Sequence, residues 1–449
     1  MSVSQSTMAT IRFGYGFHPK QTPPAGASAL LGQLRAGQKA GLILPIESRE
    51  ARLTRFVKLR EARQAKDDDR LREIRREMRL SAMADGANRV LHRALSPHGF
   101  YERMAAFWAD HFTVARRSAP HLSMLSLFEP EAIRPHIMGR FGDMLTAVAQ
   151  HPAMLIYLDQ SRSRGPNSPG GRDGRGLNEN LAREILELHT LGVGADYTQR
   201  DVREFAELLT GYRNKPRSIG FMFTPQWAEP GAETVLGQTY GGDDPTADDA
   251  VELFHDLATH EATAQHLAQK LAVHFVADDP DPGLIRHLAA AWRRSGGHLP
   301  TVYEAMLDHP SAWRGFGQKV KRPQELVIST LRAVSVDRAM ADRLGQKSGI
   351  RIVRTLRAMN QPLFRAPGPD GWPEEASAWI TPQGLAGRLT YASQVGQLAA
   401  KSSKLDPRRF AETTLRDALR PATQFAVGGA PDRWEGIALT LASPEFNRR

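Results

Sequence analysis

The sequence predicts a mostly α-helical protein, a large bundle-like assembly of many helices with one small β-hairpin inserted. Apolar residues recur with a helical period along most of the 449-residue chain. Pro and Gly cluster between the periodic segments, as expected of loops. Strand-like alternation is confined to one segment around Phe221 and Phe223. With 41% hydrophobic and 24% charged residues, the chain has a globular composition and enough length for more than one hydrophobic core.

The helical period predicts helices in order along the chain. Their expected ranges are 27–42, 53–83, 88–114, 129–149, 178–191, 200–210, 248–257, 263–276, 283–294, 302–307, 323–334, 350–359, 384–401 and 410–419. Local capping signals are clearest in the fifth and sixth helices. Asn178 is expected to cap the first of this pair, Gly192 to end it, and Thr198 with Asp201 to form a capping box for the second.

The expected hairpin and two loops interrupt this helical pattern. Phe221 and Phe223 alternate with less apolar residues, a turn is expected at Pro230 and Gly231, and 234–236 supplies the second strand. Residues 161–176 form a Gly/Arg loop and 365–384 a Pro/Trp loop. Loops this long in a compact protein are often functional.

These elements divide the chain into six predicted regions. They are an N-terminal helical region (1–160), the Gly/Arg loop (161–176), a helix-turn-helix core (177–215), the β-hairpin (216–243), a central helical region (244–335) and a C-terminal helical region that contains the Pro/Trp loop (336–449).

Composition excludes several function classes. The formal net charge of +10 permits acidic partners, but the basic segment 53–80 interleaves its cations with carboxylates rather than with stacking aromatics, so nucleic-acid binding is not expected. The absence of cysteine excludes disulfides, thiol nucleophiles and iron–sulfur clusters. No apolar stretch reaches the ~20 residues of a membrane span, and the first residues contain no signal-peptide core, so the expected compartment is the cytoplasm.

Standard catalytic motifs are also missing. The chain has no P-loop, dinucleotide-binding turn or nucleophile elbow. The phrase "HEATAQH" resembles the start of a zinc helix, but six residues rotate His266 by about 240° from His260, off a shared face.

The segment "NENLAREILELH" carries the strongest candidate site. Asn180, Glu184 and Glu187 share one helical face, and Arg183 flanks it. An aromatic helix in "FYERMAAFWADHF" places His111 on an apolar stripe.

The chemical interpretation is a cleft in which His111, Glu184 and Glu187 meet, with Asp159 as a further catalytic candidate. Carboxylates and an imidazole suit an acid/base pair, or two oxygen ligands and one nitrogen ligand for a divalent metal, the one cofactor that the sequence suggests. The alternative is structural. His111 is then a core histidine, and Asn180, Arg183 and Asp201 belong to a polar network that joins helices.

A second candidate site lies just before this helix. Arg172, Arg175 and Asn178 surround a helix N-terminus, where backbone N–H groups favour an anion. The alternative is an exposed loop without a ligand.

Ordered phrases from Tyr101 to the end of the chain resemble the bacterial domain of unknown function (DUF) 1800 family. They are "YERMAAFWADHFTV", "HPAMLIYLDQ", "NENLAREILELHTLGVGADYTQRDVREFAELLTGY", "TVLGQTYGG", "LAQKLAVHFVADDP", "KVKRPQELVISTLRA", "GWPEEASAWITPQGLAGRL" and "SPEF"; "RFGYGFHP" adds a looser match near the start. The family has no established activity. Where its pattern has "HEPGPKTVLG", this chain has "AEPGAETVLG", so Ala228 replaces a histidine and Glu233 a lysine.

The resemblance implies a partner. Family members resemble partners of a neighbouring family, domain of unknown function 1501, whose proteins look like exported, sulfatase-related enzymes. We therefore expect an accessory or scaffold protein that acts with a sulfatase-like partner. Co-export with that partner to the periplasm is the alternative to a cytoplasmic location. The alternative is a metal-dependent or acid/base hydrolytic enzyme with a His/Glu site in a helical cleft.

Overall fold

The computed structural model describes residues 3–171, 176–215, 219–402 and 405–449, with the side chains of 343–348 and 402 left out. Helices dominate these residues, and the strands form small antiparallel pairs, so the predicted mostly α fold is confirmed. None of the helices within these ranges is long and apolar enough to cross a lipid bilayer.

The N-terminal region contains two breaks that the periodicity does not predict. Its helices are α1 (Gln5–Ile11), α2 (Ala27–Lys39), α3 (Arg49–Gln64), α4 (Asp68–Leu95), α5 (Gly99–His111), α6 (Ala119–Phe128), α7 (Phe141–Ala149) and α8 (Pro152–Tyr157). The expected helix 53–83 is divided because Lys66 adopts a left-handed φ of 54°, and Asp67 caps α4 by accepting from the Arg70 N–H at 2.9 Å. Ser96 ends α4, and Pro97 follows it directly.

The central and C-terminal helices follow the predicted order. They are α9 (Asn180–Glu184), α10 (Gln199–Leu208), α11 (Asp248–Thr259), α12 (Glu261–Phe275), α13 (Pro282–Ser295), α14 (Leu299–Asp308), α15 (Pro323–Ala333), α16 (Arg338–Ala358), α17 (Ala376–Trp379), α18 (Pro382–Ser402), α19 (Pro407–Leu415), α20 (Pro421–Gly428), α21 (Arg433–Ala442) and α22 (Pro444–Asn447). The capping box of Thr198 and Asp201 on α10 is present as predicted.

The strands pair differently from the expected single hairpin. β1 (Tyr212–Asn214) pairs with β2 (Phe221–Phe223), and β3 (Gly231–Val235) pairs with β4 (Gln238–Gly242). The turn between β3 and β4 uses positive φ at Leu236 and Gly237, which a two-residue hairpin turn favours. The ring of Tyr212 packs on Phe221 with centroids 4.9 Å apart, so β2 joins the strand before it rather than the one after it.

Two large hydrophobic cores organise the described chain. The first includes Phe100 and Trp108 of α5 and Trp292 of α13. The second includes Leu326 of α15 and Ile437 of α21. Helix α4 contributes to both, with Ala82 in the first core and Val90 in the second.

Buried ion pairs join helices of the two cores. Arg103 of α5 lies 2.9 Å from Oε1 of Glu325 in α15, and Arg449 lies 2.9 Å from Oε2 of the same carboxylate. Arg322 contacts Asp110 of α5 at 2.5 Å and also pairs with Glu374. We call these six residues the ionic layer. Arg103 and Arg449 are 1% and 0% exposed, so their charges depend on these carboxylates for compensation.

Replacing Glu325 by Gln should therefore destabilise the fold strongly. Arg103 and Arg449 would keep their charges without a counterion, at a cost of about 3–5 kcal/mol. Urea unfolding followed by circular dichroism measures this loss. Arg338→Gln is the control, because it removes an exposed pair with Asp342 and should cost less than about 1 kcal/mol. Equal midpoints for the two variants would contradict this role of Glu325.

Candidate functional site

The first helix of the predicted site changes geometry in its middle. After α9, residues Ile185–His189 form a π-helical turn. The Thr190 hydroxyl donates to the Ile185 carbonyl at 2.6 Å, and the Gly192 N–H donates to the Leu186 carbonyl at 3.2 Å. Such π-bulges occur often at functional sites, because they redirect side chains within an otherwise regular helix.

Glu184 ends α9 and is the unusual carboxyl of this segment. Its side chain is half-buried, and it has no hydrogen bond or ion pair with another described residue. Burial raises its pKa to about 7, and the nearby charges of Glu187 and Asp370 act in the same direction, whereas Arg183 opposes them. At neutral pH both the protonated and the ionised form of this carboxyl are therefore populated.

Glu187, one turn later, has partners that Glu184 lacks. Arg183 lies 3.3 Å from Oε1 of Glu187 and 3.1 Å from Glu179, and the Tyr197 hydroxyl bonds to Glu187. Arg183 thus joins the carboxylates of Glu179 and Glu187 on the surface of this segment. It leaves Glu184 out.

Tyr157 and Asp370 complete the surroundings of Glu184, and we call Tyr157, Glu184, Glu187 and Asp370 the acidic site. Burial raises the pKa of Tyr157, and the charges of Glu184 and Asp370 also raise it. On the other side of Tyr157, the Arg117 guanidinium lies 5.5 Å from the ring centroid and 2.7 Å from Oδ2 of Asp159. Asp159, a predicted catalytic residue, is therefore paired at the exposed edge of the site.

The Pro/Trp loop brings Asp370 to this position because the ionic layer anchors it. The Trp372 N–H donates to Oδ1 of Asp110 at 3.2 Å, and Arg322 donates to the Trp372 carbonyl at 3.1 Å. Gly371 has a φ of 92°, and an added Cβ would lie 2.7 Å from the Asp110 carbonyl oxygen. Only glycine suits both conditions.

His111 lies behind the π-helical turn in a group of three histidines. Its Nε2 donates to the His189 carbonyl at 3.1 Å, and its ring centroid is 6.0 Å from that of His189 and 6.5 Å from that of His266. Burial lowers the pKa of His111 well below its ordinary value and that of His189 to about 3, with Lys270 adding to both shifts. The imidazoles of His111 and His189 are neutral, and their Nδ1 atoms are buried without a partner among the described residues, whereas Nδ1 of His266 donates to the Thr190 carbonyl at 2.7 Å.

Lys270 follows His266 by one helical turn. It lies within electrostatic range of the three histidines and of Asp370 in the acidic site. Burial lowers its pKa, while Asp110, Glu374 and Asp370 oppose that shift. Sequence reasoning missed Lys270, His266, Asp370 and Tyr157. The i, i+4 spacing of His266 and Lys270 in "HEATAQHLAQK" was the available signal for two of them.

The predicted metal site is not assembled. Within the described ranges, no group of three His, Cys, Asp or Glu side chains has a geometry that could hold a metal ion. His111 bonds to the backbone carbonyl of His189 and otherwise packs against aromatic rings such as that of Phe112. Glu184 lies elsewhere, near the carboxyls of Glu187 and Asp370. These residues therefore do not fit the divalent metal suggested by the sequence.

The remaining predicted residues have other placements. Asp201 accepts from the Thr198 N–H at 2.7 Å and from the Leu236 N–H at 2.7 Å, so it links α10 to the β3–β4 turn. Asn180 is exposed. Asn178 accepts from the Asn180 N–H at 3.0 Å and donates its amide to the Leu158 carbonyl. The other two anion-binding candidates, Arg172 and Arg175, lie outside the described residues.

Fold and site together define a helical protein with a partly buried carboxyl site at a π-bulge, a class compatible with many functions. The family described as "Protein of unknown function (DUF1800)" matches residues 8–448, and the chain belongs to this family. The comparison with curated proteins and the comparison with solved structures gave no match.

The raised pKa of Glu184 predicts a specific dependence of stability on pH. Between the ordinary carboxyl pKa of 4.5 and about 7, the folded state binds more protons at Glu184 than the unfolded state does, so stability falls as pH rises through this window. Glu184→Gln removes this loss. The melting temperature of the variant minus that of wild type should therefore increase by about 1–3 °C as the pH rises from 5 to 8, after allowance for solvent screening.

Differential scanning calorimetry across this range measures the effect. The control is Glu304→Gln, an exposed carboxyl on α14, whose difference from wild type should stay constant with pH. A constant difference for Glu184→Gln as well would show an ordinary pKa at Glu184.

Proposed function

We propose that this protein is an acid/base hydrolytic enzyme in which Glu184 transfers protons at the acidic site. The observation that carries the proposal is the half-buried Glu184 carboxyl without a partner among the described residues, beside a π-helical turn. A carboxyl kept only as structural support is normally paired or hydrogen-bonded when it is partly buried.

The surroundings of Glu184 support proton transfer at neutral pH. A general acid or base works best when its pKa is near the working pH, and that of Glu184 is about 7. In its carboxylate form Glu184 can accept a proton from an attacking water, and in its acid form it can return the proton to a leaving group. The hydroxyl of Tyr157 stays protonated, because its pKa is raised, and offers a hydrogen-bond donor.

Hydrolysis of chromogenic esters, phosphodiesters and glycosides tests this proposal with the full chain. One substrate class should be turned over, and Glu184→Gln should slow that reaction about 10²–10⁴-fold. Glu187→Gln should keep activity but move the limb of the pH profile to lower pH, because it removes a charge that raises the pKa of Glu184. Glu304→Gln should match wild type. The proposal is contradicted if Glu184→Gln hydrolyses the substrate as fast as wild type does, or if wild type turns over none of the three substrate classes.

A second candidate function is that of an accessory protein for a sulfatase-like partner of the domain of unknown function 1501 family. The supporting observation is a set of exposed apolar side chains in the C-terminal region. Leu385 and Leu389 of α18 are 46% and 47% exposed at i, i+4 spacing, and Phe425 of α20 is 85% exposed. Exposed apolar groups of this kind often mark protein interfaces. Co-export of the two proteins remains part of this candidate function.

Co-purification of the tagged chain with a co-expressed partner of that family tests this second function. Leu385→Asp/Leu389→Asp and Phe425→Ser should each reduce recovery of the partner several-fold, because a charged or polar group would be buried at the interface. Leu80→Ser, at a 58% exposed position on α4, is the matched control. Failure of the wild-type chain to retain the partner would exclude this function.

A further inference from the structure

A large cavity lies where the first described residues of the chain meet its last ones. None of the acidic-site residues lines it. It has a volume of about 660 Å³ and is lined by parts of residues 3–8, 313–317, 417–421 and 444–448. We call it the terminal pocket. Its volume falls within the range of small-molecule sites, about 300–1,000 Å³.

The walls of the terminal pocket are held in place by side-chain hydrogen bonds. Arg12, 0% exposed, donates to the carbonyls of Ala312 at 2.6 Å, Arg314 at 2.7 Å and Gly315 at 2.9 Å. Asp417 accepts from the Ser4 N–H at 2.6 Å and also from the Thr7 hydroxyl, which fixes α1 against the opposite wall. The pocket is therefore preformed rather than a gap between loose loops.

Three arginines line this pocket without a carboxylate partner. Arg314, Arg420 and Arg448 are exposed, and none of them forms an ion pair with another described residue. Arg448 donates to the Gly317 carbonyl at 3.3 Å. Guanidinium groups that converge on a concave surface recognise carboxylates and similar planar anions through paired N–H donors.

Two carboxylates also line the pocket, and neither forms an ion pair with these arginines among the described residues. Asp417 is bonded to Ser4 and Thr7 as described. Glu445 is 4% exposed, and its Oε1 accepts from the Arg420 backbone N–H at 3.1 Å and from the Thr423 hydroxyl at 2.9 Å. Its Oε2 is buried and has no hydrogen-bond partner among the described residues, the arginine side chains included.

The rest of the lining is apolar. Trp313, Phe316 and Leu419 are half-buried side chains on two of the walls, and Met8 lies on α1. An apolar surface next to unpaired cations suits a ligand that has an apolar body and an anionic end, because each part then contacts its complementary surface.

We propose that the terminal pocket binds a small organic anion, with its carboxylate or sulfonate on Arg314, Arg420 and Arg448 and its apolar body against Trp313, Phe316 and Leu419. The proposal uses none of the acidic-site residues and is independent of the hydrolytic function.

Fluorescence titration of the full chain tests the proposal with two probes of similar shape. The first is 8-anilinonaphthalene-1-sulfonate, which is anionic, and the second is N-phenyl-1-naphthylamine, which lacks the sulfonate. The sulfonate probe should bind at one site with a micromolar Kd, and added salt should weaken it. The variant Arg314→Gln/Arg420→Gln should weaken the sulfonate probe at least tenfold while changing the neutral probe less than twofold.

Arg286→Gln/Arg409→Gln is the matched control, since it removes the same charge from exposed positions on α13 and α19. It should bind both probes like wild type. A melting curve by circular dichroism that matches wild type shows that the pocket variant is folded, and unchanged binding of the neutral probe then shows that its apolar walls are intact. The proposal is overturned if the sulfonate probe does not bind the wild type, if both double variants weaken it equally, or if the pocket variant weakens the two probes to the same extent.

Discussion

The ionic layer is the constraint on which the rest of this structure depends. Glu325 compensates two guanidinium groups that are almost fully buried, one on α5 of the first core and one at the C-terminal residue Arg449. Desolvating such charges costs several kcal/mol per ion, so each carboxylate must be held in the position that compensates its partners. Hydrophobic packing alone would let two cores slide against each other. The directional pairs of the ionic layer restrict that freedom and set the relative position of α5 and α15.

The geometry of the acidic site follows from the same layer. Arg322 pairs with Asp110 and Glu374 and also binds the carbonyl of Trp372, so the Pro/Trp loop is fixed to α5. That attachment places Asp370 within electrostatic range of Glu184, and the resulting repulsion adds to burial in raising the pKa of Glu184. A loop that looks irregular in sequence thus contributes, after burial and Glu187, to the raised pKa of a carboxyl almost two hundred residues earlier in the chain.

Local sequence signals predicted the helices and their order, but not the contacts between distant segments. The capping box of Thr198 and Asp201 could be predicted because all its atoms lie within one turn. The polar face of Glu184 and Glu187 was also visible. The π-helical turn could not be predicted, because no residue type specifies it. Nor could the difference between the two carboxyls, which lies in their partners, since Glu187 pairs with Arg183 and Glu184 has no ion pair among the described residues. Likewise, His111 was expected beside Glu184, whereas tertiary packing places it beside His189 and His266.

Ala228 and Glu233, the two positions at which the family resemblance implied other residues, can be placed in the same physical terms. Glu233 is 8% exposed beside Glu204, Glu207 and Glu229, and burial together with these charges raises its pKa to about 8. At neutral pH its carboxyl is mostly protonated and bonds to Glu207, so the two side chains share a proton. Ala228 is buried close to Gly211, where an added Cβ would lie 3.2 Å from the Ala228 Cβ. Both positions belong to the docking of the β3–β4 hairpin on α10. The acidic site is built from other segments, so these two positions affect a packing interface and leave Glu184 with the surroundings on which its proposed chemistry rests.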